Sequence, residues 1–527
     1  MKNLVFISLF CFVLYGLNAQ LSLGKMFGNN MVLQREKPIH IFGKGIPTDG
    51  TSRDNREGVT LSFSNKTISV QVKADSTWEA YFGLQKANKK GQKLTIQSGN
   101  ETIILDNILI GDVWLCAGQS NMEFPLANEK HVNEALKTAL NPNLRLFDYK
   151  KVLSPLNKPF KISEIHHLQP ENFYQGSWSI SDTTSAKDFS AVAYYFGQMV
   201  EQNTDIPIGL IHLAVGGSPL ESWLREATTR SDTALHKIFE GDWMNNPHLE
   251  PWCILRGHQN LDSLLKNNPS AVPKDEWGYY HPYKPSFLSQ AMQPFTAFPI
   301  KGFLWYQGES NSLSLWRAQQ HEQLFPLLIA DWRKQWGGNL PFYFCQLSSI
   351  SAEKGYKSEN WGYFRDSQRR MADSLDNGGM AITSDVGHPT DVHPTDKKTV
   401  GERLARVALA KTYKQKIVFE GPKPTKAIYK KGKIIVYFKD KLAVSKGQIL
   451  NDSEIPTHTG LRGVSVETFD GIIQDVSPIL KKRKIVIKAP LKAKRVLYGW
   501  KPFSDGNLVN VAGLPCSTFA LMIKNNL

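Results

Sequence analysis

The stretch Gly111-Asp112-Val113-Trp114-Leu115-Cys116-Ala117-Gly118-Gln119-Ser120-Asn121-Met122-Glu123 decides how this chain folds. Val113 to Ala117 is an unbroken apolar run of strand length, and Gly118-Gln119-Ser120 ends it in a small-residue turn. A run of that kind bounded by a turn is read as a strand buried on both faces. A serine at its end sits at the carboxyl edge of a sheet, where open α/β sheets bind their ligands. The turn departs from the G-x-S-x-G elbow of the α/β-hydrolases, because Met122 stands where the second glycine belongs. A serine so placed also caps a following helix in many proteins, so this motif alone assigns no chemistry.

Working outward, Ile108 to about Lys416 alternates strand, loop and helix. Strands are expected at Ile208–Ala214, Gly302–Tyr306, Pro341–Gln346 and Met380–Ser384, and helices at Phe189–Glu201, Leu324–Trp336 and Thr399–Lys414. This is the pattern of an α/β unit, a parallel sheet covered by helices on both faces. Residues 232–285, rich in Trp, Asn, Pro and His, interrupt it as a long insertion that either shapes a pocket or covers the sheet. Before it, residues 20–107 carry short apolar runs at Ile39–Phe42, Val59–Phe63, Ile68–Val72, Leu94–Ile96 and Ile103–Leu105, a β-rich, sandwich-like unit. After it, short strands return through residues 417–527, forming a second β-rich unit that is either separate or packed with the first.

The first nineteen residues have the layout of a signal peptide: Lys2, the apolar stretch Leu4 to Tyr15, and Leu17-Asn18-Ala19 as a cleavage site. The apolar stretch is shorter than the roughly 20 residues that span a bilayer, so no stable membrane insertion is expected after its removal. The mature protein is then periplasmic or extracellular. It would keep Cys116, Cys253, Cys345 and Cys516, which are scattered without metal-ligand spacing and are expected as mostly buried thiols with at most one bridge. The net charge of +15 is concentrated late, in Lys411–Lys446 and Lys481–Arg495. Lysines flanking Ile485-Val486-Ile487 and Ile434-Ile435-Val436 read as the wet faces and edges of strands, and no nucleic-acid recognition motif accompanies them, so no nucleic-acid partner is expected.

Three further segments end expected strands of the same sheet, and each supplies something that acyl transfer requires. Ala214-Val215-Gly216-Gly217-Ser218 offers glycine N–H groups that can approach an oxyanion, and Trp305-Tyr306-Gln307-Gly308-Glu309-Ser310-Asn311 offers side-chain amides. Asp385-Val386-Gly387-His388-Pro389-Thr390-Asp391-Val392-His393-Pro394 offers a base and an orienting carboxylate.

Together these motifs resemble the SGNH hydrolases and, within them, the sialate O-acetylesterase-like family of carbohydrate esterases. The resemblance runs from Met26-Phe27-Gly28-Asn29-Asn30-Met31-Val32-Leu33-Gln34 to Gly513-Leu514-Pro515-Cys516-Ser517. It implies an SGNH-type three-layer hydrolase domain, flanked by the two β-rich units, with Ser120 as nucleophile. The N–H groups of Ser120 and of Gly216 or Gly217 become oxyanion donors. Ser310 stands where the general pattern has asparagine, which leaves the third donor open between Gln307 and Asn311, with Asn311 preferred. His393 fits the family's acid-hydrophobe-His-Pro motif better than His388, which is read as a loop histidine. Asp391 is then the expected orienter, with Asp385 as the alternative.

Gln119, Asn121, Glu309 and Arg365 are read as supporting the site, Glu309 by holding a loop or a partner such as Arg365. Trp243, Trp252, Trp277, Tyr279 and Tyr280 either stack on sugar rings or pack in the core. No metal or organic cofactor is implied. The expected substrate is an acetylated sugar or glycan, first acetylated sialic acid, whose carboxylate suits the basic charge. Acetylated xylan or another plant glycan is the alternative, and a glycan-binding protein without activity is the rival from another class.

Overall fold

The structure, a computed structural model, describes residues 21–45, 58–149, 152–230, 232, 235–445, 460–488 and 493–525. In chain order the central unit contains β1 (Glu101–Gly118), the helical turn α1 (Ser120–Glu123), β2 (Asn141–Tyr149), β3 (Gly176–Ser181), α2 (Ala191–Thr204) and β4 (Ile208–His212). It continues with α3 (Pro251–Asn267), β5 (Gly302–Tyr306), α4 (Leu315–Gln335), β6 (Phe342–Cys345), α5 (Trp361–Ser374), β7 (Gly378–Ala381) and α6 (Lys397–Lys411). The strands lie in the order β3-β2-β4-β1-β5-β6-β7. All neighbours run parallel except β3, which is antiparallel to β2 at the edge.

Period-two alternation places the sheet between two apolar layers. Val113, Leu115, Phe303 and Trp305 face a core shared with Leu324, Leu328 and Trp332 of α4. Trp114, Cys116, Leu304 and Tyr306 face the opposite core, shared with Val192 and Phe196 of α2 and Val400 and Leu404 of α6. A slip of one residue in β1 would exchange these faces, so the pattern fixes the register. The carboxyl ends of the parallel strands therefore lie at one edge, with the loops after β4, β1 and β5 side by side and the loop after β7 separated from them by β6.

The first half of β1 pairs antiparallel with Asn88–Ser98, and its second half enters the parallel sheet. The change of unit expected between residues 107 and 108 thus falls inside one continuous strand. Asn107 adopts a left-handed φ of 58°, and the ladder with residues 88–98 slips there, so a β-bulge rather than a linker separates the two halves. Val59, Leu61 and Phe63 of one antiparallel layer share a core with Ile39, Ile41, Trp78 and Phe82 of another.

Residues 232–285 do both things the sequence left open. Trp243 is buried in the core shared with the sheet, against Gly257 of α3 and the His281 ring, while Glu250, Trp252 and Arg256 at the start of α3 wall a cleft. Beyond α6, an eight-stranded sheet forms around its own core of Ile434, Val436, Ile485, Ile487 and Val496. Lys433, Lys484 and Lys488 alternate with these residues and face solvent.

This second β unit docks on α5. Arg365 is fully buried there and donates to the carbonyls of Gly499, Lys501 and Pro502 and to the hydroxyls of Ser349 and Thr518. Cys116, Cys253, Cys345 and Cys516 are all buried free thiols. The expected signal peptide lies outside the described residues. Among the described residues no helix is long and apolar enough to cross a membrane.

Candidate active site

Gly118 ends β1 with φ +132°, and a Cβ there would lie 2.2 Å from the Tyr306 carbonyl oxygen, so only glycine lets the chain turn this tightly against β5. Gln119 follows in extended conformation, and its carbonyl accepts the N–H groups of Met122 and Glu123. Ser120 therefore opens a helical turn, where its own N–H has no intrahelical acceptor. After β4, Val215 N–H still bonds to the Gly118 carbonyl at 3.0 Å, which carries Gly216 alongside the serine. A Cβ on Gly216 would be 3.7 Å from Ser120 Cβ.

His393 arrives from the loop between β7 and α6. Its Nε2 lies 2.7 Å from Ser120 Oγ, although 273 positions separate the two residues. Burial, aided by the Lys397 charge, pushes the imidazole pKa below its ordinary value, while Asp391 and Glu123 oppose that shift. The neutral ring is the form that accepts a proton. Asp391 Oδ1 is 3.6 Å from His393 Nδ1 and accepts the His393 backbone N–H at 2.8 Å. Asp385, the alternative orienter, is held by both terminal nitrogens of Arg403 at 2.6 and 2.7 Å and takes no part at the histidine. His388 Nδ1 accepts the N–H groups of Thr390 and Asp391 and shapes the loop.

Two expectations need correction. Gln307 and Asn311 were the choices for the third oxyanion donor, yet both side chains are fully buried and absent from the cleft wall. Gln307 Nε2 donates to Ser218 O and to Asn311 Oδ1, and Asn311 Nδ2 donates to Glu221 Oε2. The helical turn Glu309–Asn311 carries Asn311 inward, where its Oδ1 accepts the Leu220 N–H, and Gln307, just before that turn, holds the same loop through the Ser218 carbonyl. Arg365 does not meet Glu309, because its guanidinium is engaged by Gly499, Lys501, Pro502 and Thr518 of the second β unit and by the Ser349 hydroxyl. Glu309 Oε1 instead accepts Asn121 Nδ2 at 2.5 Å, and burial raises its carboxyl pKa. Gln119 Oε1 accepts the N–H groups of Gly308 and Ser310, which ties the first motif to the third.

Ser120, His393, Gly216 and Gly217 line a cleft of about 1060 Å³. Gly217 has φ +71°, and a Cβ on it would lie 2.2 Å from Tyr283 Oη and 2.6 Å from Trp252. Of the five aromatics singled out in the sequence, Trp252 alone belongs to the wall; Trp277 lies beneath the Arg230 guanidinium at 4.7 Å. Sequence reasoning missed Glu123, Arg256, Trp316 and Lys357, which also line the cleft. Glu123 had a signal, being three residues after the serine on the same helical turn. Arg256 lies on α3, Trp316 opens α4 and Lys357 sits in a loop, and none of them carries a local pattern that points to the cleft.

Among the described residues one acid and histidine group, Glu129, His131 and Asp396, has ligand atoms within 4.8 Å of one another. Glu129 is occupied by His131, Tyr195 and the Lys398 N–H, so the cluster serves as a tie at the start of α6, just after the His393 loop.

The family model described as carbohydrate esterase, sialic acid-specific acetylesterase, matches residues 110–240 and 273–410. The chain belongs to this family. The match breaks within the insertion, and it includes the Ser120 and His393 segments. This family member is 28% identical over 426 residues to human sialate O-acetylesterase, covering 76% of this chain and 72% of the relative. It is 28% identical to the mouse protein over 430 residues, covering 76% and 75%. A carbohydrate acetylesterase from Xanthomonas citri superposes with a TM-score of 0.74 at 26% identity, covering 95% of this chain and 99% of that one. The protein is thus an esterase of α/β architecture, with a β-rich unit after its catalytic sheet.

Proposed function

We propose that this carbohydrate esterase removes acetyl groups from sugar hydroxyls through an acyl-enzyme on Ser120, within an SGNH-type three-layer domain. The observation that carries the proposal is the 2.7 Å contact between Ser120 Oγ and His393 Nε2. His393 takes the hydroxyl proton as Oγ attacks the acetyl carbonyl, and the N–H groups of Ser120 and of Gly216 or Gly217 stabilise the oxyanion. The protonated ring then gives its proton to the departing sugar oxygen. Water, deprotonated by His393, releases acetate and restores the serine. Asp391 orients the ring and offsets its charge.

Acetylated sialic acid is the substrate we favour, supported by the family and by Arg256 and Lys357 on the cleft wall, which suit a carboxylate. A second reading, an acetylated plant glycan such as xylan, is supported by the size of the cleft and by Trp252 and Trp316, aromatic faces for a chain of sugars. Export to the periplasm or beyond fits either substrate. Acetate release from O-acetylated sialic acid and from acetylated xylan distinguishes them, with Ser120→Ala and His393→Ala as controls. Rates near wild type in either variant overturn the mechanism, and inactivity on sialic acid esters transfers the protein to the second reading.

A further inference from the structure

Lys397 is fully buried at the first position of α6, behind the catalytic loop. Its ammonium donates to Asn121 Oδ1 and lies 4.7 Å from the Phe124 ring and 5.7 Å from the Tyr306 ring. Asn121 is also fully buried and follows the nucleophile directly. Its Nδ2 donates to Glu309 Oε1 at 2.5 Å and to the Val392 carbonyl at 3.0 Å, one residue before His393. One amide thus joins the serine's turn, the histidine's loop, the third motif and α6.

We infer that Lys397 is a positioning residue of the reaction, acting through Asn121 to set the spacing between Ser120 and His393. An ammonium has donors only, whereas a carbonyl and an ionised carboxylate have acceptors only. With Lys397 on one side and Val392 and Glu309 on the other, the Asn121 amide has a single orientation that satisfies all three. Remove the ammonium and the Asn121 oxygen is left buried without a donor, so the amide shifts to find one and gives up the Val392 carbonyl. The histidine loop then loses its bond to the serine's turn. Burial of the side chain lowers the Lys397 pKa to about 7, while Glu309, Cys345, Asp391 and Asp396 act in the opposite direction. Burying an amine this fully is costly, so its retention needs a compensating role, which the amide orientation provides.

This inference rests on Ser120 and His393 being nucleophile and base, and the test keeps the two ideas apart. Full-length wild type, Ser120→Ala, Lys397→Met, Asn121→Ala and the Lys397→Met/Asn121→Ala double variant are assayed on a chromogenic acetyl ester, with thermal melts for each. Each single change is expected to lower kcat by about 10- to 100-fold, the scale of a small misplacement of reacting groups, with KM within about twofold. The double variant is expected to be no worse than the poorer single one, since both remove the same connection. Lys397→Met also removes a charge that opposes the imidazolium, leaving Asp391 and Glu123 facing His393, so the acidic limb of kcat/KM moves to higher pH. Multiplicative losses in the double variant, or wild-type kcat in Lys397→Met, overturn the inference while an inactive Ser120→Ala leaves the mechanism standing. An active Ser120→Ala overturns the mechanism itself. Should Lys397→Met not fold, Asn121→Ala decides alone: an unchanged kcat overturns the inference.

Discussion

Asp391 meets His393 twice: its Oδ1 accepts the histidine's backbone N–H at 2.8 Å and stands 3.6 Å from the ring Nδ1. The carboxylate is bound more firmly to the loop than to the imidazole, and it is over half exposed. Asp391→Asn is therefore expected to lower kcat/KM by about tenfold, far less than the roughly 10⁴-fold loss at a buried triad aspartate. Initial rates on an acetyl ester check this. A loss equal to that of His393→Ala would mean that the carboxylate closes onto the ring during turnover.

The pH profile has a definite sign. Burial and the neighbouring Lys397 hold the His393 pKa below the ordinary imidazole value of 6.5, and a base works only when neutral. The acidic limb of kcat/KM is expected below pH 6.5. Asp391→Asn removes a charge that raises this pKa, so its limb moves lower still. A wild-type limb above neutrality contradicts the assignment.

Gly217→Ala inserts a methyl group where Tyr283 Oη and Trp252 already stand, at a φ of +71°. The left-handed backbone alone costs about 1 kcal/mol for a residue with a Cβ. Relief of the clash displaces the N–H offered to the oxyanion, so kcat is expected to fall by roughly 10²-fold. Steady-state kinetics with a thermal melt separate the two effects. Unchanged kcat removes Gly217 from the donors and leaves Gly216.

His281 and His321 are buried, and desolvation pushes both pKa values down to about 3. Each stays neutral in the folded chain while the unfolded chain takes up a proton below about pH 6.5. Their stabilisation is complete above that pH and is lost as pH falls from there toward 3, by roughly 1.4 kcal/mol per pH unit for each histidine. Urea unfolding at pH 7 and pH 5 checks the slope. His281→Gln is expected to flatten it.

Arg365→Met leaves the Lys501 carbonyl without its buried donor and takes one of two donors from the Gly499 and Pro502 carbonyls, which keep the Thr518 hydroxyl and the Ile350 N–H. At about 1–3 kcal/mol for the stranded Lys501 carbonyl, with two further bonds lost beside it, the second β unit is expected to detach at a lower temperature than the parallel sheet. Limited proteolysis on heating reads this as early cleavage in residues 417–527. Unaltered protease resistance refutes the role given to Arg365.

The sheet was legible because its signals are local. Gly302–Tyr306 is the strand that its apolar run predicts, and the helices at Phe189–Glu201 and Thr399–Lys414 are found within a few residues of those bounds. Strands ending in loops with a serine and a histidine pointed to one edge, and the contact between Ser120 and His393 forms there. What escaped was the choice of polar partners. Nothing near Arg365 in sequence foretells carbonyls some 135 positions later, and Lys397 looks like any lysine opening a helix until Asn121 and Glu309 surround it. Gln307 and Asn311 misled for the same reason. An amide near a strand's end faces the ligand or the protein according to the turn that follows, and that turn is a matter of long-range packing.

The continuity of β1 has an architectural consequence. Because one strand pairs with an antiparallel layer at its start and leads directly into Ser120 at its end, the region before residue 101 cannot be excised like a cassette. Shortening the chain there strips hydrogen-bonding partners from the rod that holds Ser120, so the amino-terminal layers are part of the enzyme's chassis. Any remodelling of this esterase has to begin downstream of that rod.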